Sequence, residues 1–275
     1  IILNVRPRRS AHAYRQVWTD EGSPLAAITE RQARGLGGAF GPGVIVDHAM
    51  RYGKPAIADR IDALKAAGCE RILIAPLYPQ YCAATTATAA DEAFAHLRRL
   101  RWQPAVRTLP PYHDDPAYVG ALKTSVEAAL AGIGFEPETI LASFHGMPRR
   151  TLDLGDPYHC HCRKTARLLS EALGREVLVA FQSRFGRAKW LEPYTDRMLG
   201  ALPGKGVSKL AIVAPGFSAD CLETLEELAI RGRSTFLDAG GTDFAYLPCL
   251  NDSEAGLAML RTVIGRELEG WLPPQ

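Results

Sequence analysis

Long apolar runs are absent from this sequence, and so is a recognisable secretory signal. Its longest mainly apolar stretches, Arg71–Pro79 and Leu210–Phe217, fall far short of the roughly 20 residues that a membrane-spanning helix needs. No basic segment at the start leads into a hydrophobic core and a small-residue cleavage site. We therefore expect a cytoplasmic protein, for which a peripheral membrane contact near a ligand cleft stays open.

An excess of one charge is also missing. The 275 residues include 32 Lys and Arg against 30 Asp and Glu, a formal net charge of +2. A dedicated nucleic-acid binder usually shows a concentrated basic excess, so we expect no nucleic-acid partner. Hydrophobic residues make up 47% and charged residues 23%, which excludes a disordered, collagen-like or coiled-coil protein. At about 150 residues per domain, the length fits one large or two ordinary domains.

Cysteines are few and scattered, and the common catalytic signatures are lacking. The chain is long enough to bury a core without disulfides, so reduced thiols are the expected state. Cys160 and Cys162 are close in sequence, but the chain has no second cysteine pair of this kind. The sequence therefore gives only weak support for a zinc or iron–sulfur site. No Walker A loop, Gly-x-Gly-x-x-Gly or Gly-x-Ser-x-Gly motif supports a nucleotide-dependent enzyme or a serine hydrolase.

Short apolar segments alternate with amphipathic helical patterns. Most of the apolar segments are continuous, which is typical of parallel strands covered on both faces. The alternation predicts an α/β fold of parallel sheets flanked by helices. The predicted strands are Val44–Met50, Arg71–Leu77, Val106–Leu109, Thr139–Phe144, Glu176–Gln182, Leu210–Ala214 and Phe244–Leu247. The predicted helices are Pro55–Ala67, Asp91–Arg101, Pro116–Ala131, Cys162–Leu173, Ala219–Arg231 and Glu254–Gly270.

A turn-rich segment, Pro110–Pro116, marks a crossover near the middle of the chain. We expect two Rossmann-like lobes, residues 1–115 and 116–275, with a ligand cleft between them at the carboxyl ends of the strands. The last helix is expected to pack back on the first lobe.

His145 follows the predicted strand Thr139–Phe144 and precedes a glycine. Its position is compatible with a packed turn histidine. A neutral imidazole at the end of a strand can equally bind a borderline metal such as Fe(II) or take a proton near neutral pH.

Three carboxylates, Asp220, Glu223 and Glu227, are spaced i, i+3 and i+7 in the predicted helix Ala219–Arg231. At about 100° per residue they would lie within about 60° of one another on one face. The pattern fits a solvated acidic face near a helix start. It also fits a set of polar groups that face the cleft, because the helix follows a strand and a Pro-Gly turn.

Cationic and aromatic side chains follow another predicted strand, in the segment Phe181–Trp190. They suit either a basic surface loop or a site for a flat anionic ligand, with cations for carboxylates and an indole for stacking. Tyr52, Tyr78 and Tyr81 would add aromatic walls to such a site.

Taken together, the segments resemble ferrochelatases, which insert ferrous iron into a porphyrin to make haem. Single segments are weak signals, but they occur in family order along nearly the whole chain. The segments Tyr158–Cys162 and Asp220–Glu227 look most like those of proteobacterial members, which use protoporphyrin IX. The matching stretches are Tyr14–Leu25, Met50–Gly53, Pro76–Thr86, Ser143–Pro148, Gly155–Tyr158, Gln182–Pro193 and Pro215–Leu228.

The resemblance implies that His145 and Glu223 are the catalytic pair and the iron ligands, on either side of the porphyrin. Which of the two takes the pyrrole protons is left open. Asp220 and Glu227 would then form a path for protons or the metal ion. The positions that match residues near the macrocycle or its propionates are Ser23, Arg51, Tyr52, Tyr81 and Trp190.

The resemblance also implies what the protein would bind. Its substrates would be a porphyrin and Fe(II), with no permanently bound cofactor, and we expect a monomer. The C-terminal cysteine cluster of animal members is absent from the sequence, so no iron–sulfur cluster is expected. Relative to the family, a strand and a glycine-containing loop ahead of Ile1 are missing, which we expect to affect porphyrin binding.

Three alternatives remain at the level of sequence. The first is a related chelatase that acts on sirohydrochlorin or a cobalt corrinoid precursor. The second is a two-lobed protein that holds haem or a porphyrin without turnover. The third is an inactive fragment.

Overall fold

Two parallel β-sheets form the framework of the computed structural model, which describes residue 11 and residues 13–272. The first sheet pairs β1 (Arg71–Ile74) with β2 (Ala105–Thr108). The second has the order β4-β3-β5-β6. Its strands are β3 (Thr139–His145), β4 (Val177–Gln182), β5 (Lys209–Val213) and β6 (Asp243–Leu247). All pairs are parallel, which confirms the α/β prediction.

Helices flank both sheets. In the first half, helices connect the short strands and are followed by the long helix α4. Asp115 caps the first turn of α4, because its carboxylate accepts a hydrogen bond from Ala117 N. The elements there are α1 (Pro24–Leu36), α2 (Ile57–Ala66), a π-helical turn (Ala83–Ala87), α3 (Thr88–Leu97) and α4 (Pro116–Gly132). In the second half they are α5 (Arg149–Asp153), α6 (Tyr158–Leu173), α7 (Thr195–Ala201), a 3₁₀ turn (Pro203–Lys205), α8 (Leu222–Thr224), a π-helix (Leu225–Gly232), α9 (Arg233–Asp238) and α10 (Glu254–Glu267).

The central strand β3 shows why the apolar runs are continuous. Ile140 and Phe144 pack into a core with α4, α6 and α10, whereas Leu141 packs into a second core with α7, the π-helix and α9. Successive side chains of a strand point to opposite faces, so a sheet covered on both sides requires apolar residues at every position. Ser143 is the polar exception in this run and is completely buried.

The predicted strand Val44–Met50 is wrong. Residues 44–49 have no strand partner among the described residues, and Met50 forms an isolated bridge with Ala56. Val44 and Val46 pack against the main core instead. An apolar, β-branched segment favours extended backbone, but a strand also needs a neighbour to bond its N–H and C=O groups.

The predicted single helix Ala219–Arg231 is also wrong. One short α-helical turn, α8, starts at Leu222, and the π-helix follows directly. Apolar periodicity identifies a helical segment, but it does not distinguish an α-helix from its wider π form.

The C-terminal segment contacts the first sheet. Arg107 Nη1 donates to the carbonyl oxygens of Glu267 and Glu269, and its guanidinium lies 4.3 Å from the centre of the Trp271 ring. Arg71 Nη1 donates to the Trp271 carbonyl. The division of the chain at residue 115 stays a prediction. Among the described residues, no helix combines the length and the apolar character that crossing a bilayer demands.

Candidate active site

His145 ends strand β3, and its tautomer is defined by a local hydrogen bond. Its Nδ1 lies 2.7 Å from the carbonyl oxygen of Gly146. A carbonyl can only accept, so Nδ1 carries a proton, and in the neutral imidazole the lone pair is on Nε2. The Tyr158 hydroxyl donates to the His145 carbonyl at 3.0 Å, which fixes the backbone beneath the ring. The imidazole is therefore prepared to bind a metal ion or to take a proton through Nε2.

The turn after His145 requires glycine. Gly146 N donates to the Gln182 carbonyl at 2.8 Å. A Cβ atom at Gly146 would lie 2.6 Å from that same carbonyl oxygen and 3.1 Å from the Trp190 ring. Contacts shorter than 3.0 Å to backbone cannot be relieved without moving the strand ends, so the close approach of β3, β4 and Trp190 depends on this residue.

Glu223 is placed by the loop that follows β5. Cys221 is the N-cap residue of α8, and Thr224 Oγ1 accepts a hydrogen bond from Cys221 N. Glu223 is half-buried, and its backbone carbonyl accepts from Gln182 Nε2 at 2.7 Å. Burial, reinforced by the charge of Glu223, raises the pKa of the Cys221 thiol well above its ordinary value. Cys221 is thus a neutral neighbour of the carboxylate.

One cavity brings His145 and Glu223 together. Its volume is about 950 Å³, within the range of roughly 300–1,000 Å³ that is usual for small-molecule sites. Arg51 and Tyr78 line the same cavity, as does Met147. The segments that follow β3 and β5 thus supply an imidazole and a carboxylate to one cleft, as is usual for open α/β sheets.

Two tyrosines have raised pKa values. Burial is the main cause that raises the pKa of Tyr78, and the charge of Glu223 adds to it. The pKa of Tyr14 is raised by burial and then by the charge of Glu223. Both hydroxyls therefore stay protonated near neutral pH, and that of Tyr78, which lines the cavity, can serve there as a hydrogen-bond donor.

Asp220 does not share a helix face with Glu223, so the predicted one-face arrangement is wrong. It precedes the helix and is 6% exposed, and its carboxylate accepts from Tyr246 Oη, Thr224 Oγ1 and Asn251 Nδ2. It ties the loop carrying Glu223 to the end of β6. A role for Asp220 in a proton path stays a prediction.

We expect Asp220→Ala to lower the free energy of unfolding by about 3 kcal/mol, because it leaves several buried donors unpaired. Asp220→Asn keeps an acceptor oxygen and should lose less. Urea unfolding followed by circular dichroism measures both changes. Asp238→Ala, at an exposed carboxylate, is the control. A loss for Asp220→Ala no larger than that of the control would contradict this reading.

Glu227 points to the end of β4. Its carboxylate accepts from Ser183 N at 2.8 Å and from Ser183 Oγ at 2.5 Å, and it lies 4.0 Å from Arg231 Nη2. The i, i+3 and i+7 spacing does not place these carboxylates on one helix face, because the π-helix begins at Leu225. A role in a proton path stays a prediction for Glu227 as well.

The remaining residues that were predicted to bind substrate do not all lie at the cavity. Arg51 lines the cavity, and its guanidinium carbon lies 4.6 Å from the centre of the Tyr52 ring, which is 74% exposed. Trp190 is buried against Gly146, directly behind the turn of His145. Ser23 is the N-cap residue of α1. Among the described residues that line the cavity, none is Ser23, Tyr52, Tyr81 or Trp190.

The segment that carries Tyr81 is held by a histidine pair. Tyr81 N donates to His161 Nδ1 at 3.2 Å, and the His161 ring stacks on His113 with centroids 3.6 Å apart. Burial, followed by the charge of His161, lowers the pKa of His113 to about 4. Burial also lowers the pKa of His161, against the opposing charges of Asp114 and Asp156. Both imidazoles are neutral in the folded protein near pH 7.

Because the pKa of His113 is lowered, we predict that the folded protein loses stability in acid. Because the folded pKa of His113 is depressed, its stabilising contribution is present above its ordinary pKa of 6.5 and is lost as pH falls towards about 4. His113→Phe keeps an aromatic ring over His161 but removes the titration. We expect the slope of unfolding free energy against pH in that window to fall by up to about 1.4 kcal/mol per pH unit. An unchanged slope in urea unfolding would overturn the assignment.

Reasoning from sequence missed the residues that hold the site together. Tyr158 and Gln182 lie in segments that resemble the ferrochelatase family, but the sequence indicated no role for either residue. A signal was present at Gln182, since an amide at the end of a continuous apolar strand has to find buried partners. Its partner at Glu223, 41 residues away, is visible only in the fold.

Known proteins share both the sequence and the fold. The ferrochelatase family model matches residues 1–268. The ferrochelatase of Rhizobium meliloti (strain 1021) is 55% identical over 279 residues, which cover 99% of this chain and 82% of that protein. The ferrochelatase of Agrobacterium fabrum is 53% identical, covering 99% of this chain and 81% of that protein.

Solved structures share the architecture at low identity. SirB from Bacillus subtilis with Fe³⁺ has a TM-score of 0.66 at 15% identity, covering 91% of this chain and 94% of that one. CbiX, described as the terminal enzyme for biosynthesis of sirohaem in denitrifying bacteria, has a TM-score of 0.62 at 17% identity, covering 90% and 95%. These two likenesses concern the fold, and the family follows from the sequence comparisons: the chain belongs to the ferrochelatases.

Proposed function

We propose that the protein is a lyase that inserts Fe(II) into protoporphyrin IX to form haem. Membership of the ferrochelatase family supports this activity. The observation that carries the assignment of the site is the presence of His145 and Glu223 in the same cavity. Fe(II) is a substrate here, and no permanently bound cofactor is needed for the reaction.

The reaction needs proton acceptors and transient metal ligands. Free-base porphyrin loses two N–H protons, Fe(II) loses its water ligands, and the four ring nitrogens take the metal. His145 Nε2 offers a lone pair, and the Glu223 carboxylate supplies negative charge. Each can accept a proton or hold the metal before transfer, and a base must lie within hydrogen-bond reach of the ring centre.

The walls of the cavity would bind the ring and distort it. A planar porphyrin keeps its nitrogen lone pairs in the ring plane, and bending one pyrrole exposes them. Binding energy from the rest of the macrocycle offsets this strain. Arg51 is one of the arginines that line the cavity, and with Tyr52 beside it we assign it to a propionate. Trp190 would support the His145 turn from behind. Ser23 and Tyr81 would contact the ring or its propionates at the edge of the site.

Asp220 and Glu227 would serve the reaction by carrying protons away from Glu223. Each already accepts hydrogen bonds from neighbouring side chains, so such a path would exchange protons through those donors. We further propose that the protein acts as a monomer in the cytoplasm, with a peripheral membrane contact for its poorly soluble substrate.

An anaerobic assay tests the function. Wild-type protein is mixed with Fe(II) and protoporphyrin IX, with sirohydrochlorin in a parallel reaction, and metal insertion is followed spectrally. The proposal predicts catalytic turnover to haem. Turnover of sirohydrochlorin alone would indicate a different chelatase, and tight haem binding without consumption of Fe(II) would indicate a binding protein; either result contradicts the proposal.

A further inference from the structure

Gln182 is a buried amide that the proposed chemistry does not use. It ends strand β4 and is 3% exposed. Ser143 Oγ donates to its Oε1 at 2.7 Å, and its Nε2 donates to the Glu223 carbonyl at 2.7 Å. The Glu223 carbonyl can only accept, so this contact fixes which end of the amide faces it. All the polar atoms of the side chain therefore have partners, one of them next to the site.

The backbone of the same residue holds the opposite side of the site. Gln182 is paired with His145 in the parallel register of β3 and β4. Its carbonyl accepts from Gly146 N at 2.8 Å. One residue thus contacts both the turn that presents His145 and the backbone of Glu223.

The next residue adds a second contact to the same segment. Ser183 adopts a left-handed backbone (φ 63°), and both its N–H and its hydroxyl donate to the Glu227 carboxylate. A non-glycine residue in this region is strained unless its surroundings hold it there. The end of β4 therefore binds the Glu223 segment at two points, four residues apart.

We propose that Gln182 is a positioning residue that sets the location of Glu223 relative to His145. The inference rests on the proposed function, since it concerns the geometry of that same pair. Glu223 lies in a three-residue helical turn between a loop and a π-helix, so little regular structure fixes it from its own chain. A small displacement of a catalytic group can lower a rate about 100-fold, which makes such an anchor consequential.

Gln182→Met tests the role, because methionine has a similar length but donates nothing to the Glu223 carbonyl. We expect kcat for Fe(II) insertion to fall by about 10- to 100-fold, with KM for the porphyrin unchanged within about threefold. An unchanged kcat, or a change confined to KM, would overturn the proposal.

Gln182→Glu gives a signature that a purely structural role would not produce. Its ionised carboxylate would repel the Glu223 carbonyl, whereas its protonated form has an O–H that can donate to it. Burial raises the pKa of a carboxyl, so the protonated form is accessible under mild acid. We expect kcat relative to wild type to rise as pH falls. A flat ratio across pH would contradict the proposal, and this measurement still applies if Gln182→Met does not fold.

Thr195→Val is the matched control. Thr195 Oγ1 contacts Ser143 Oγ at 2.8 Å in the same buried group, but it does not contact Glu223. We expect kcat of this variant to stay within about threefold of wild type. An equal loss of kcat in Thr195→Val and Gln182→Met would show that Gln182 only packs the core, and it would overturn the proposal.

Wild type is assayed alongside these variants with Fe(II) and protoporphyrin IX. Failure of wild type to make haem would reject the proposed function itself. An active wild type with an equally active Gln182→Met would reject only the inference about Gln182.

Discussion

Glu223→Gln lowers kcat for Fe(II) insertion into protoporphyrin IX by about 100-fold or more on the present account. Glutamine keeps the size of the side chain and leaves the backbone bond from Gln182 in place. It removes the negative charge and the proton-accepting oxygen that face the cavity. The loss should therefore appear in kcat, with porphyrin KM little changed, in a stopped-flow or steady-state assay under anaerobic conditions.

Glu226→Gln is the matched control for this variant. Glu226 lies three residues further on and pairs with Arg231 at 3.0 Å, and it is not among the described residues that line the cavity. Its kcat should be that of wild type. Metal insertion by Glu223→Gln at the rate of Glu226→Gln would remove the carboxylate from the mechanism.

His145→Ala should reduce metal insertion to a comparable extent. The change removes the Nε2 lone pair that the Nδ1–H bond to Gly146 leaves free. General acid–base groups typically contribute about 100- to 10,000-fold, and a lost metal ligand adds to that deficit. Added imidazole should restore part of the rate, because the cavity left by the ring is open to the substrate site.

His96→Ala serves as the control for His145→Ala, since His96 lies on α3 and pairs with Asp62. It should keep wild-type activity and show no response to imidazole. A wild-type rate in His145→Ala, with normal folding by circular dichroism, would leave the assignment of the imidazole without support.

The sheets were predictable because their signal is local. Continuous apolar segments such as Thr139–Phe144 and Leu210–Ala214 identify strands covered on both faces, and β3 and β5 lie there. The predictions failed where the local pattern of residues does not determine the structure that the segment adopts. Residues 44–50 carry a strand pattern without a strand partner among the described residues, and Leu225–Gly232 carries a helical pattern that closes as a π-helix.

The candidate site was predictable only in part, for the same reason. The end of a predicted strand pointed to His145, whereas Glu223 was singled out from the acidic residues by the resemblance to ferrochelatases. The spacing argument grouped Asp220 and Glu227 with Glu223, whereas the fold binds Asp220 to Asn251 and Glu227 to Ser183. Such partners are 31 and 44 residues away, so no periodicity along the chain could reveal them.

The most direct test of the central claim is a crystal structure of the protein with a bound porphyrin. We predict that the ring occupies the cavity with His145 Nε2 on one face of its centre and the Glu223 carboxylate on the other. A ring bound elsewhere, or with both side chains on one face, would contradict it.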